Sequence, residues 1–222
     1  MSLLGIDTST PASAVCVVRD DGEVFEEVPE PAALAARPAH ARELMPAVAA
    51  VMERAGIAYP ELEAIAVGVG PGAFTGLRIG IATARGLASA NGLPLKPVSS
   101  LAALAEGIDG EPRLPLIDAK RGEVFAALYG PGGVLRWGPL AEVPERLAER
   151  VRADGVSPLA AGDGSVRFRG VLEAAGIRVL PDESRSHVVR ALHVCRLAAG
   201  VTGVAPQAVL PDYRRAPDAK PQ

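Results

Sequence analysis

The residues of this chain best spaced for chemistry lie in "AIAVGVGPGAFTGLRIGIATARGLASANG", residues 64–92, where an apolar strand passes through a glycine-rich turn into a helix. Gly68, Gly70 and Ala73 fit the G-x-G-x-x-A spacing that lets backbone approach a pyrophosphate. A ribose-binding carboxylate is then due about 20 residues on. The next strand, "LPLKPVS", carries none, and the nearest acid beyond it is Glu106. A Walker loop fits less well, because no lysine lies between Gly68 and Gly92 to reach the phosphates.

Two aspartates end similar strands, Asp7 in "LLGIDTST" and Asp118 in "LPLIDAKRGE". Such a carboxylate can face a nucleotide and its metal, or bond the backbone ahead and make a turn. For Asp7 both readings stand; for Asp118 the turn is the simpler one. His40, His187 and His193 are scattered, whereas a catalytic metal wants about three protein ligands. His187 and His193, six apart, fall on different sides of a helix. His40, in "PAHARE", is expected at a helix surface. Cys16 and Cys195 sit in separate apolar runs without C-x-x-C spacing and read as buried, reduced thiols.

The elements that must position these residues read as a duplicated plan. In the first half "LLGID", "SAVCVV" and "GEVFEEV" are strands. "ARPAHARELM" opens a helix, with Pro38 suited to its first turn, and Leu44, Val48, Val51 and Ala55 recur on one face before Gly56 ends it. "EAIAVGV" and the glycine-rich helix follow, giving βββαβα. The second half repeats this order, with "LPLID", "GEVFAALY" and "GGVLRWG" as strands, "VPERLAERVRA" as a helix, "SPLAAG" as a strand and "DGSVRFRGVLEAAG" as one helix. "IRVL" is then a strand and "HVVRALHVCRLAAG" a closing helix. Two such units imply the α/β fold of the actin, hexokinase and Hsp70 superfamily, with two lobes facing across a cleft. The expected division is a first lobe over 1–108, a smaller one over 109–186, a closing helix over 187–203 packing back on the first lobe, and a tail over 204–222.

In the glycine-rich helix Gly76, Gly80, Ala84 and Ala88 form a stripe of small residues flanked by Leu77, Ile79, Ile81 and Leu87. Arg78, Arg85 and Ser89 are its polar edge. Interior glycines cost up to about 1 kcal/mol each against alanine, so the stripe implies close backbone approach on that side. The first helix of the same chain, or a second protein, could supply that contact.

Composition narrows the partners. The chain of 222 residues has a net charge of −3, so its surface as a whole does not attract a phosphate backbone. The N-terminus lacks a basic region and meets Asp7 early, and no apolar run approaches the ~18 residues of a membrane span; a cytoplasmic location is expected.

The string "GPGAFTGLRIG", with "AIAVGVG" before it and "ATARGLASANGLPLKPVSSLAALA" after it, resembles the TsaB family, also called YeaZ. Ala73 stands where that family carries serine. The resemblance extends to "IDTST", "HARELMP", "IDAKRGEVFAALY" and the closing "PDYRR", and so covers nearly the whole chain. It implies a noncatalytic dimerization subunit of the tRNA threonylcarbamoyladenosine machinery. The partners so implied are the catalytic paralogue TsaD, the ATPase TsaE through the complex, and tRNA indirectly, with a homodimer when the chain is alone. The resemblance places the docking face on His40, Leu44 and Val48 of the first helix and on Thr75, Gly76, Leu77, Arg78, Gly80, Ile81, Ala84 and Arg85 of the glycine-rich one. TsaD carries V-N-H-x-x-x-H after the corresponding strand; here Ser100 and Leu104 take the two histidine positions, so no metal and no required cofactor are expected. Weak ATP or ADP binding stays open, with Asp7, Thr8, Ser9, Asp118, Gly162 and Gly164 as its candidates. An ATP-dependent enzyme of the same fold and a TsaD-like metal-dependent transferase remain as alternatives. A peptidase is disfavoured by the absence of a G-x-S-x-G elbow and of metal ligands.

Overall fold

Residues 1–215 are described by the structure, a computed structural model; the last seven positions of the expected tail, 216–222, lie outside them. The first half runs β1 (Leu3–Asp7), β2 (Ala14–Val18), β3 (Val24–Glu27), α1 (His40–Ala55), β4 (Ala64–Gly70), α2 (Phe74–Asn91), β5 (Leu95–Ser99) and α3 (Ser100–Glu106). The second half runs β6 (Arg113–Lys120), β7 (Glu123–Tyr129), β8 (Leu135–Glu142), α4 (Pro144–Ala153), β9 (Leu159–Ala161), α5 (Asp163–Arg167), α6 (Arg169–Ala174), β10 (Arg178–Val179) and α7 (Ala191–Ala198).

The two halves repeat each other in topology. One sheet has the order β3-β2-β1-β4-β5 and the other β10-β9-β6-β7-β8. In each, the first strand pairs antiparallel with the second and parallel with the fourth: β1 with β2 and β4, β6 with β7 and β9. This is the duplicated, two-lobed actin/hexokinase/Hsp70-like plan.

Alternation along the strands builds three cores. Leu4, Ile6, Val15, Val17, Ile65 and Val67 meet Leu44, Val48 and Val51 of α1 and Ile81, Ala84 and Ala88 of α2. The opposite face of that sheet offers Leu3, Ala14, Cys16, Ala64 and Ala66 to α3 and α7, which also meet Ile117, Ala119, Phe125 and Ala127 of the second sheet. Leu114, Leu116, Val124 and Leu128 then cover α4 and α6 through Leu147, Val151 and Leu172. With helices on both sides, β1 is buried at every residue. The middle layer is lined by small side chains because α7 comes close: a Cβ on Gly5 would stand 2.6 Å from Cys195 Sγ and 2.8 Å from the Ala191 carbonyl oxygen.

Several local expectations are corrected. α1 begins at His40, so Pro38 lies before the helix; Pro46 sits within it, at an exposed position. The single helix expected over 163–176 is two, because Phe168 leaves the helical region (φ −110°, ψ 21°). The closing helix starts at Ala191, and His187 belongs to a preceding 3-10 turn. The third strand of the second half spans Leu135–Glu142, ending four residues beyond its expected end at Gly138. Helix ends at Gly56 (φ 64°) and Gly92 (φ 67°) do take the left-handed conformation that glycine supplies.

Candidate functional site

The glycines of the long motif close on the loop that follows β1. Asp7, Thr8, Ser9 and Thr10 are all buried. A Cβ on Gly68 would collide with the Asp7 carboxylate, one on Gly76 with the Thr8 carbonyl oxygen, and one on Gly80 with Thr8 Oγ1; on Gly72 it would stand 2.5 Å from the Ser9 carbonyl oxygen. Hydrogen bonds complete the seat. Thr8 Oγ1 donates to the Gly76 carbonyl at 2.8 Å, and Ala73 N–H donates to the Ser9 carbonyl at 2.7 Å. The glycine end of the small-residue stripe of α2, Gly76 and Gly80, therefore faces this chain's own first loop, while Ala84 and Ala88 continue it into the core.

Asp7 is held inside that seat. Its Oδ1 accepts from Ser9 N–H at 2.8 Å and Ser9 Oγ at 2.6 Å, and its Oδ2 accepts from Ser100 Oγ at 2.6 Å. Ser100 Oγ also accepts from Gly70 N–H at 3.2 Å. Burial pushes the Asp7 pKa up, against the opposing pull of the Ser100 and Ser9 bonds. Leu104, at the other position where TsaD carries histidine, is fully buried in the layer between the sheets. Among the described residues no group of three or more His, Cys, Asp or Glu is placed to hold a metal ion.

The residues assigned to a docking face divide into two sets. Leu44, Val48, Gly76, Leu77, Gly80, Ile81 and Ala84 are buried within the chain. Thr75 and Arg78 are exposed, as are Phe74 (41%) on the same helix and Met45 (45%) on α1. The face continues onto the C-terminal segment. Tyr213 stacks on Phe74 with ring centroids 5.1 Å apart, Arg78 Nε donates to Tyr213 Oη at 2.9 Å, and the Arg78 guanidinium lies 3.8 Å from the Phe74 ring centroid. Arg85 is tied to the same segment by bonds to the Gln207 and Val209 carbonyls. Sequence reading missed Phe74 and the placement of Tyr213, although "PDYRR" carried a signal that this segment has a fixed place.

His40 is not at a helix surface. It is 4% exposed beneath the first turn of α2, its Nδ1 2.7 Å from Ser13 Oγ, and burial lowers its pKa. It lines a cleft of about 1060 Å³ with Arg37, Arg42, Phe74, Thr75, Asp118, Phe125 and Tyr213. The C-terminal segment crosses between the halves, since Asp212 N–H donates to the Val69 carbonyl and Arg215 Nη1 to the Ala119 carbonyl, both at 2.8 Å.

Of the six nucleotide candidates only Asp118 lines that cleft. Asp7, Thr8 and Ser9 are spent in the seat just described. A Cβ on Gly162 would collide with the Leu116 carbonyl oxygen, and Gly164 packs α5 against the backbone of β6. Asp118 makes a turn: its Oδ1 accepts from Lys120 N–H at 2.8 Å, and its Oδ2 from Lys120 Nζ and Arg167 Nη1, each at 2.8 Å. Burial alone would raise its pKa, but these bonds carry it below the ordinary value. Asp163 accepts the Asp118 N–H at 3.0 Å, and burial pushes its pKa up to about 6. His187 is structural as well, accepting the Gly162 N–H at Nδ1 (3.0 Å) with its Nε2 2.9 Å from the Pro181 carbonyl.

With this geometry in view, the chain superposes on the solved structure of YeaZ from Pseudomonas aeruginosa with a TM-score of 0.78 and 32% identity, over 96% of this chain and 99% of that one. The chain belongs to the TsaB/YeaZ family. Within it, the tRNA threonylcarbamoyladenosine biosynthesis protein TsaB of Escherichia coli is 39% identical over 136 residues, 58% of this chain and 55% of that protein. The chain thus spans about half the length of the curated TsaB it matches. An uncharacterized protein of Mycobacterium tuberculosis is 34% identical across 99% of this chain and 94% of its own length. Residues 28–142 match the family model of TsaD, tRNA N6-adenosine threonylcarbamoyltransferase, in keeping with a fold shared between TsaB and that enzyme. No described helix is long and apolar enough to cross a membrane.

Proposed function

We propose that this chain is a noncatalytic docking subunit of the machinery that forms N6-threonylcarbamoyladenosine at position 37 of tRNAs reading codons that begin with A, and that its direct partner is a TsaD-type catalytic subunit. The observation that carries the reading is the large apolar surface left exposed on the α1–α2 pair, Met45 on α1 and Phe74 on α2, with Tyr213 stacked on Phe74 and Arg78 in contact with both rings. Aromatic and arginine anchors of this kind dominate protein interfaces. In this reading Thr75 and Arg78 meet the partner, while Leu44, Val48, Gly76, Leu77, Gly80, Ile81 and Ala84 hold the helix pair in shape from within. TsaE and tRNA are reached through the complex, and two copies pair through the same face when no TsaD is present. Neither a cofactor nor a metal is required of this chain, and its place of work is the cytoplasm.

Co-expression with TsaD of the same organism, followed by size exclusion at micromolar protein, tests the reading. A stable heterodimer is expected, together with ATP turnover by the isolated chain far below the roughly 1 s⁻¹ of an ordinary enzyme. Two separate peaks from folded proteins, or turnover at that rate, would overturn it.

A further inference from the structure

Cys16 and Cys195 are 179 positions apart in the chain, and the fold puts them side by side. Cys16 lies on β2 and Cys195 on α7, both buried and both unbridged. In the β1–β2 pair Cys16 stands directly opposite Gly5. Alternation turns Leu3, Ala14 and Cys16 toward the layer between the sheets and Leu4, Ile6, Val15 and Val17 toward α1 and α2, so position 5 faces the middle layer beside Cys16. Gly5 places no side chain there. Cys195 Sγ takes that space, 2.6 Å from where a Gly5 Cβ would stand. Cβ positions directly opposite in an antiparallel pair are about 4.5–5.5 Å apart, which sets the Cys195 sulfur against the flank of Cys16.

The contact is seen from both residues. Cys195 Sγ lies 4.0 Å from the Cys16 carbonyl oxygen, and the Cys16 thiol, together with burial, pushes the Cys195 thiol well above the ordinary cysteine range. Neither sulfur lines the cleft or belongs to the seat of Asp7. Their elements meet nowhere else in the chain's covalent order, so a bond between them would add a constraint that the backbone lacks. α7 is also the helix that shares the middle layer with Ile117, Ala119, Phe125 and Ala127 of the second sheet. It is eight residues long, and a helix of that length leaves its sheet by local unfolding more readily than a central strand does. Packed, Cys195 is a poor nucleophile; opened to water, it regains the reactivity of an ordinary thiol.

We propose that Cys16 and Cys195 are a redox-sensitive pair, which a small-molecule disulfide closes into a cystine that fixes α7 on the first sheet. The Cys195 thiol, reached when α7 opens, gives its proton to solvent and attacks one sulfur of the oxidant, releasing one small thiol and leaving a mixed disulfide. The Cys16 thiol, its proton also lost, then displaces the second small thiol from Cys195. Two protein S–H bonds and the oxidant's S–S bond break; one protein S–S bond and two small-molecule S–H bonds form, and two electrons pass from the protein to the oxidant. This pair is independent of the docking role and is tested on the full chain alone.

The test is incubation of the native full chain, and of its Cys16→Ala and Cys195→Ala variants, with glutathione disulfide, followed by quenching with N-ethylmaleimide in denaturant and intact mass spectrometry. Over minutes to hours the parent is expected to lose two hydrogen atoms and to accept no maleimide. It should stay monomeric on a non-reducing gel and melt about 5–10 °C higher, an increase that a reducing agent removes. Neither variant, folded or not, can make the same product, and a rise in melting temperature in either would overturn the proposal. So would a parent that takes up two maleimides, keeps glutathione on one cysteine, forms disulfide-linked dimers, closes the bond only in urea, or closes it without a change in melting temperature.

Discussion

Ser100 Oγ donates to Asp7 Oδ2 at 2.6 Å, joining the end of β1 to the start of α3 across 93 residues of chain. The same oxygen accepts the Gly70 amide. Ser100→Ala leaves a buried carboxylate oxygen and a backbone N–H short of partners, at a cost of about 1–3 kcal/mol. Urea unfolding should show the midpoint fall with an unchanged slope. A midpoint equal to the parent's would mean that water replaces the hydroxyl.

Two glycines of α2 should respond in opposite directions to the same substitution. A Cβ on Gly80 would collide with Thr8 Oγ1, while one on Gly86 meets nothing within 4 Å. Gly86→Ala is expected to stabilise by about 0.5–1 kcal/mol through helix propensity alone. Gly80→Ala should destabilise by about 1–3 kcal/mol, because the loop after β1 must shift. Thermal melts of the two variants check both signs.

Asp163 provides a pH-dependent prediction. Its folded pKa of about 6 exceeds the ordinary 3.8, so the folded chain holds a proton that the unfolded chain releases. The stability from that proton is fully present below the unfolded value and is lost as pH rises through about 4 to 6. Relative to the parent, Asp163→Asn should therefore melt progressively higher as pH is raised from about 4 to 7, by on the order of 5 °C and at most about 3 kcal/mol. Asp118 acts in the opposite sense and lower down: its lowered pKa gives stability that is lost on acidification below its ordinary range. A difference between variant and parent that does not change with pH would contradict the burial of the Asp163 carboxyl.

Position on α2 should separate docking from folding. Phe74→Glu alters an exposed ring and is expected to leave the melting temperature within a few degrees while weakening the TsaD complex by roughly thirtyfold, about 2 kcal/mol. Ile81→Glu places a charge at a side chain that is 2% exposed and should unfold the monomer instead. A folded Ile81→Glu protein that has lost only the partner would move the docking face to the other side of the helix.

Much of the architecture follows from local pattern. Short apolar runs bounded by turn residues predict β1, β2, β6 and β7, and the i, i+3, i+4 spacing of Leu44, Val48, Val51 and Ala55 predicts the buried face of α1. Gly56 and Gly92 mark helix ends because a left-handed residue is needed there, a requirement of a single residue's backbone. The likeness of "LLGID" to "LPLID" anticipates two sheets of equivalent strand order. Other features depend on partners remote in the chain, which periodicity does not encode. Helical spacing places Gly76 and Gly80 on one stripe but does not say what opposes it; Thr8, about 70 positions away, does. His40 reads as a surface residue because its neighbours are exposed, and becomes buried only when the first turn of α2 covers it. Phe168 interrupts a helix whose local composition favours continuity, and Tyr213 reaches Phe74 only because the chain returns across the first lobe. Side-chain type and spacing act within a few residues, so the sequence by itself determines the elements and their buried faces. The seat of Asp7 exists only once β1, β4 and α3 have been brought together, and the cleft and the exposed aromatic face only once the returning C-terminal segment joins them.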